Sequence, residues 1–370
     1  MVAWLGLAGL AAAMGIGRFA FTPALPLMQA ADGLTLVQGG WLASSNYAGY
    51  LLGALLCIWL PARPAFWARA GLLLVALTTL AMTFSDHFLL WLLWRLLAGL
   101  ASAFVLVGLS AWCLGRLVQL GQPRLAGLIY AGVGVGLAFA GTVGMVAGVA
   151  QVSPASFWCL LGWVAFAVWL LCRWGLKTEL PPATQTAVVN RGFTLDAWRL
   201  IGCYGIFGIG YILPATFLPA MARAQFADPA LFGWVWPLFG LAAAVSTLLV
   251  ASFAGRFAPR RVWALAALIM AVGVALPVLS QGMISLLLAA LCVGGTFMVM
   301  TMAGMQEARA SGGAKLIAAM TASFAAGQLL GPLLVSLAQG QLFWPSLMGA
   351  GLLLLSALLL VVKPPQTAIK

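Results

Sequence analysis

Two arginines, Arg18 and Arg95, sit deep inside long apolar runs. In a hydrocarbon layer an Arg costs roughly 2.5–3.5 kcal/mol on insertion scales, so each must face protein, water or an anionic ligand rather than lipid. A guanidinium is permanently charged and planar, and its five N–H donors form a fork that suits a carboxylate or similar anion. No Asp or Glu falls mid-run in the first half of the chain to neutralise them, because Asp32 and Asp86 lie between runs. Arg18 is about 14 residues, or roughly 21 Å, into its run, and Arg95 about 7 residues, or roughly 10 Å, into its own. Long side chains bridge that difference in depth, so together they point to binding of an anionic group. The competing use of Arg18 is to bond helix carbonyls left without donors near Pro23 and Pro26. The competing use of Arg95 is helix packing and gating.

The remaining polar groups in apolar surroundings are few. Ser45, Asn46 and Tyr47 share one run, and Tyr130 and Gln328 occur on two others; each can donate to a solute or to a neighbouring helix. Glu307 shares a helical face with Thr296, Met300 and Gly304, which makes it the candidate for proton coupling, a task that requires a group able to load and unload. Its alternative is an ion pair at a helix end with Arg309, Arg116 or Lys315. Asp32, Asp86 and the single histidine, His87, read as outer-loop residues. Cys57, Cys113, Cys159, Cys172, Cys203 and Cys292 show no CxxC or metal-ligand spacing and read as small buried residues. With one His, no HExxH and no nucleophile–base pair, neither metal, cofactor nor enzymatic chemistry is expected.

These residues are carried by a chain that is 64% hydrophobic and 6% charged, with a mean hydropathy of +1.10. That leaves too little polar surface for a water-soluble fold. At roughly 20 apolar residues per crossing the chain allows about twelve spans. The runs fall at 4–28, 36–60, 66–84, 88–114, 125–149, 155–174, 198–221, 231–254, 262–279, 283–306, 315–338 and 343–362. The net charge of +12 follows the membrane and not nucleic acid. Of eighteen Lys and Arg, Arg18 and Arg95 are mid-span and Arg223 alone falls on the outer side, leaving fifteen on the side of the N-terminus. Both termini are therefore expected in the cytoplasm. The first run lacks a basic n-region and carries its only charge deep inside, so it reads as a retained helix. Trp41, Trp91, Trp94, Trp158, Trp234 and Trp344 near run ends suit an interfacial belt. Gly132, Gly134, Gly136, Gly141, Gly144 and Gly148 suit close helix packing on the fifth run.

The chain repeats itself without a gap at an offset of 193. Gly15-Ile16-Gly17, Leu25-Pro26 and Met28 return as Gly208-Ile209-Gly210, Leu218-Pro219 and Met221. The same offset aligns Gly40-Trp41 with Gly233-Trp234, Arg63 with Arg256, Arg116 with Arg309 and Gly134 with Gly327. Six helices per half give a parallel repeat. The expected organisation is a six-helix bundle over 1–174, a cytoplasmic linker over 175–196 and a second bundle over 197–370. Across the repeat Arg18 corresponds to Tyr211 and Arg95 to Leu288. The halves share a scaffold and differ in charge.

Gly15-Ile16-Gly17-Arg18-Phe19-Ala20-Phe21-Thr22-Pro23, with Gly40-Trp41-Leu42-Ala43-Ser44-Ser45-Asn46-Tyr47 and Gly49-Tyr50, resembles the YbfB/YjiJ branch of bacterial major facilitator transporters. Arg95-x-x-x-Gly99 resembles that superfamily's RxxxG motif. Arg63, Arg256, Arg260 and Arg261 resemble its basic loops, although Gly255 and Ala62 stand where the acidic residue usually does. Gly327, Gly331 and Pro332 resemble the antiporter Gly-Pro motif, but in the eleventh helix instead of the fifth, where Phe139 occupies the proline's place. The resemblance implies an all-α membrane protein of twelve helices in two pseudo-symmetric bundles, in the bacterial inner membrane. It implies secondary transport of a small organic solute with an anionic group, by alternating access and coupled to protons. Drug or metabolite efflux is the alternative; a uniporter or channel is a further one. The implied solute site is Arg18, Thr22, Asn46, Tyr47, Arg95, Tyr130, Tyr211 and Gln328. The implied gating residues are Arg63, Gly99, Arg256, Gly327, Gly331 and Pro332. The implied partners are solute, lipid and protons, with no cofactor, no metal and no nucleic acid, and a monomeric chain.

Overall fold

The computed structural model describes residues 1–60, 63–176, 193–226, 233–253, 256–338 and 341–362, apart from some side chains within helices, those of Pro219, Arg223 and Pro332 among them. The described residues form twelve long apolar helices: α1 (Val2–Ala31), α2 (Leu36–Trp59), α3 (Pro64–Thr83), α4 (Phe88–Gln119), α5 (Ala126–Val149), α6 (Pro154–Gly175), α7 (Leu195–Gln225), α8 (Val235–Ser252), α9 (Pro259–Leu279), α10 (Met283–Gly313), α11 (314–337) and α12 (Phe343–Val361). Their starts carry ordinary signals. Thr35 and Gln38 form a reciprocal capping box on α2, Ser153 and Thr194 cap α6 and α7, and Pro64, Pro154 and Pro259 open α3, α6 and α9.

Two elements depart from the expected spans. The stretch 307–314, expected as a loop, is helical up to Gly313, because Glu307, Ala308, Arg309 and Ala310 favour helix. The break falls on Gly313 at φ 61° and ψ −151°, a conformation open essentially to glycine. In α1, residues Ala11–Phe19 wind as a π-helix with Arg18 in its last turn. A break at Pro23 and Pro26 was expected, yet Pro26 stays inside the helix and the irregular turns lie before Pro23.

Packing follows the repeat. Within the first half α1 lies against α4, α5 and α6, α4 against α2 and α3, and α3 against α6. In the second half α7 lies against α12 and the α10–α11 stretch, while that stretch also packs on α8 and α9, and α9 on α12. The halves meet where α5 packs on α8 and where α2 packs on the α10–α11 stretch. We place the boundary between them in the segment after α6, of which 177–192 lie outside the described residues. The exterior is apolar: Trp163, Leu171, Leu265 and Val272 are exposed as lipid-facing side chains must be. Trp41, Trp234 and Trp344 are exposed near helix ends, whereas Trp158, expected in the same belt, is buried beside Phe157.

Glycines set the closest approaches. A Cβ at Gly132 would fall 2.1 Å from the Leu7 carbonyl oxygen, and one at Gly134 would fall 2.3 Å from the Ala244 nitrogen, so α5 presents one glycine face to α1 and another to α8. A Cβ at Gly99 would lie 2.0 Å from the carbonyl oxygen of Asn46. Gly99→Ala is therefore expected to force α2 from α4 and to destabilise the protein by about 1–3 kcal/mol. The check is a lowered thermal midpoint of the purified protein in detergent.

Candidate functional site

Arg18 occupies the centre of the bundle at 2% exposure. Its Nη2 donates to Oε1 of Gln328 on α11 at 2.5 Å, a bond between the halves. The guanidinium carbon lies 3.8 Å from the ring centroid of Tyr50, 5.0 Å from that of Phe19 and 5.8 Å from that of Tyr47. Cation–π contact of this kind, in a desolvated setting, is worth about 2 kcal/mol. Among the described residues no carboxylate pairs with it, and its Nε and Nη1 have no hydrogen-bond partner. Nε2 of Gln328 and the hydroxyl of Tyr211, both on fully buried residues, are likewise unpartnered.

Arg18 lines a narrow cavity of about 20 Å³, room for about one water. The first half supplies Met14, Phe19, Tyr50, Leu106 and Val133, and the second half Tyr204, Phe297, Met298, Thr301, Thr321 and Phe324. Tyr211 stacks on Phe297 with centroids 4.8 Å apart at 13°, and Phe324 meets Tyr204, Phe207 and Tyr211. Side chains of both halves thus meet around the cavity.

Arg95 has a different task. Its Nη1 donates to the carbonyl of Gly17 at 3.2 Å and its Nη2 to that of Arg18 at 2.8 Å. Asn46 donates to the same Gly17 carbonyl and to that of Arg95, and Ser102 donates to that of Ala13. Three side chains from α2 and α4 thus hold the π-wound turns of α1. Pro23 has no N–H to return to the preceding turn, so carbonyls there need donors from elsewhere. The carbonyl-bonding role weighed above for Arg18 belongs to Arg95.

The other sequence candidates divide. Tyr47 approaches Arg18 and its hydroxyl meets that of Thr216 on α7 at 3.3 Å. Thr22 is half-buried one turn beyond Arg18. Tyr130 donates to Ser110 at 3.2 Å, on α4, apart from the residues that line the cavity. Glu307 accepts from Arg260 Nε at 2.7 Å, and Arg260 also binds Asp196, which pairs with Arg199; the partner is Arg260 and not Arg309, Arg116 or Lys315. Asp32 and Asp86 share a polar hollow with Gln38 at the opposite end, where partial burial and the Asp86 charge hold the Asp32 carboxyl above its usual range. Arg63 and Arg256 are exposed, Arg256 over Phe253. Gly327 and Gly331 set α11 against α7, with Cβ positions 2.3 Å from the Gly205 oxygen and 2.1 Å from Ile212. Sequence reasoning missed Tyr50, Phe297, Phe324 and Ser102 as site residues; Tyr50 at four residues beyond Asn46 and three beyond Tyr47 was the available signal.

A family model described as "Uncharacterised MFS-type transporter YbfB" matches residues 10–361. The chain belongs to this major facilitator transporter family. Solved structures with the same fold include the human organic anion transporter MFSD10 (TETRAN), at TM-score 0.72 and 16% identity over 97% of this chain and 98% of that one. The nucleoside transporter NupG follows at TM-score 0.69 and 17% identity, over 97% and 99%. No curated protein sequence matches significantly. Identities this low speak to the fold alone. The chain is thus a multi-pass membrane transporter.

Removing the Arg95 side chain exposes the division of labour between the arginines. Arg95→Ala leaves the Gly17 and Arg18 carbonyls without these donors and is expected to cost about 1–3 kcal/mol. Thermal unfolding in detergent measures it; an unshifted midpoint would show that Arg95 does not hold α1.

Proposed function

We propose that the chain is a secondary active transporter of a small organic solute with an anionic group, operating by alternating access across the bacterial cytoplasmic membrane with both termini inside. The observation that carries this reading is the buried Arg18 guanidinium with two free nitrogens and no carboxylate partner among the described residues. A buried cation left in that condition is costly, and an anion delivered by the solute supplies the missing charge. The unpartnered Gln328 amide and Tyr211 hydroxyl add donors beside it. The cavity is lined by both halves, and a transporter built from two repeats binds its cargo where the repeats meet; with room for about one water in this arrangement, it must widen to admit a solute.

The driving force we assign, by family resemblance, is the proton gradient. Glu307 is a poor carrier for it: the carboxylate is tied to Arg260 and lies away from the cavity lining. Glu307→Gln is expected to leave uptake driven by a pH gradient in place, with at most a loss of stability. Liposome uptake at fixed membrane potential decides this, and loss of the pH-driven component alone would restore Glu307 to coupling.

Arg18→Ala is the central test. Truncating one partner of a buried charge pair costs about 2–5 kcal/mol, which is about 30-fold or more in affinity. Thermal shifts of the wild type against organic acids, amino acids and drugs identify a ligand. That ligand is expected to lose its stabilising effect on Arg18→Ala, and an unchanged shift would refute the anion site.

A further inference from the structure

The number of free charges and the walls of the cavity narrow the cargo. Arg95 gives its two terminal nitrogens to backbone carbonyls, with Nε unpartnered, and is not in the cavity lining; among the described residues a single cationic side chain, Arg18, lines the cavity. One unneutralised cation balances one anionic group; a second carboxylate on the solute would be buried without a partner. Among the described residues no carboxylate lines the cavity either, so an ammonium on the solute finds no counter-charge there. The two threonine hydroxyls in the lining are already committed as donors to their own helices, Thr301 to the Phe297 carbonyl at 3.0 Å and Thr321 to that of Ile317 at 2.8 Å. Most of what remains around Arg18 is aromatic or sulfur-bearing, Phe19, Tyr50, Tyr204, Phe297, Phe324 and the two methionines, with Leu106 and Val133 beside them. Such walls favour a flat, polarisable body.

We propose that the cargo is an aromatic monocarboxylate, its carboxylate on Arg18 and its ring among the aromatic side chains that line the cavity. This rests on the anion-site reading above and deepens it. No covalent step is involved.

The test uses the purified full chain with benzoate, acetate, phthalate, phenylalanine and benzamide as probes, read by thermal shift and by uptake of labelled benzoate into liposomes with the others as competitors. Benzoate is expected to bind at least about tenfold more tightly than each of the others, the difference expected for a lost charge or an unpaired buried group. Phe297→Leu is expected to weaken benzoate about two- to tenfold while leaving acetate unchanged. Phthalate, phenylalanine, acetate or benzamide equalling benzoate overturns the assignment, as does the absence of binding by benzoate. If another anion of the set binds and Arg18→Ala abolishes that binding, the anion site stands and the aromatic monocarboxylate falls. If benzoate binds equally with and without Arg18, both fall.

Discussion

A guanidinium at 2% exposure, in a bundle whose outer face is hydrocarbon-compatible, constrains nearly everything around it. The first half offers no carboxylate within its apolar runs to pair with Arg18. Its surroundings compensate only in part. The Tyr50 ring beneath the guanidinium contributes cation–π attraction, and Gln328 takes one N–H. Nε and Nη1 have no partner, and Arg18 lines a cavity shaped largely by aromatic side chains from both halves. The site is thus electrostatically unfinished while sterically almost closed.

Holding Arg18 there depends on an irregular helix. A regular α1 satisfies its own backbone, whereas the π-wound Ala11–Phe19 segment followed by Pro23 leaves carbonyls to be satisfied laterally. Arg95, Asn46 and Ser102 meet that need from α2 and α4, and the glycine contacts at Gly49 and Gly99 bring those helices close enough together to do so. Two buried arginines that look equivalent in sequence therefore have opposite uses. One satisfies the protein's own backbone, and the other is left available by that arrangement. The second half has no such pair: Tyr211 and Leu288 stand at the repeat-equivalent positions. It has instead the Asp196–Arg260–Glu307 cluster at one end of α7, α9 and α10, where the first half has Ala3, Trp67 and Leu114.

How much of this was legible in the sequence depended on the range of the forces involved. Helix number and the fold class are written in hydropathy, and the 193-residue repeat in ungapped glycines and prolines, because lipid and close packing act on every residue of a span. Arg18 was legible as a site because a charge in an apolar run is a local anomaly. Its partner Gln328 is 310 residues away and became a candidate only as a polar residue in an apolar helix. The division between Arg18 and Arg95 was not legible, since it turns on which guanidinium reaches two carbonyls of an irregular turn, and a π-helix has no clear residue signature. Phe297 and Phe324 were hidden for a different reason. In a chain this apolar, a Phe that faces a cavity reads the same as a Phe that faces lipid.

The place of Gln328 links the site to the motion. The Arg18–Gln328 bond joins α1 to α11 and the Tyr47–Thr216 contact joins α2 to α7, so polar bonds between the halves cluster around the site itself. Elsewhere the halves meet through close glycine contacts such as Gly134 with Gly240 and Ala244, and Gly127 with Ala251. A solute that takes the guanidinium from Gln328 exchanges a bond between halves for bonds to itself. The equilibrium between arrangements of the two halves then changes by the difference in the solute's affinity for them, and by no more than that. Occupancy of Arg18 and the relative stability of this arrangement of the halves are, in this geometry, tied to the same few atoms.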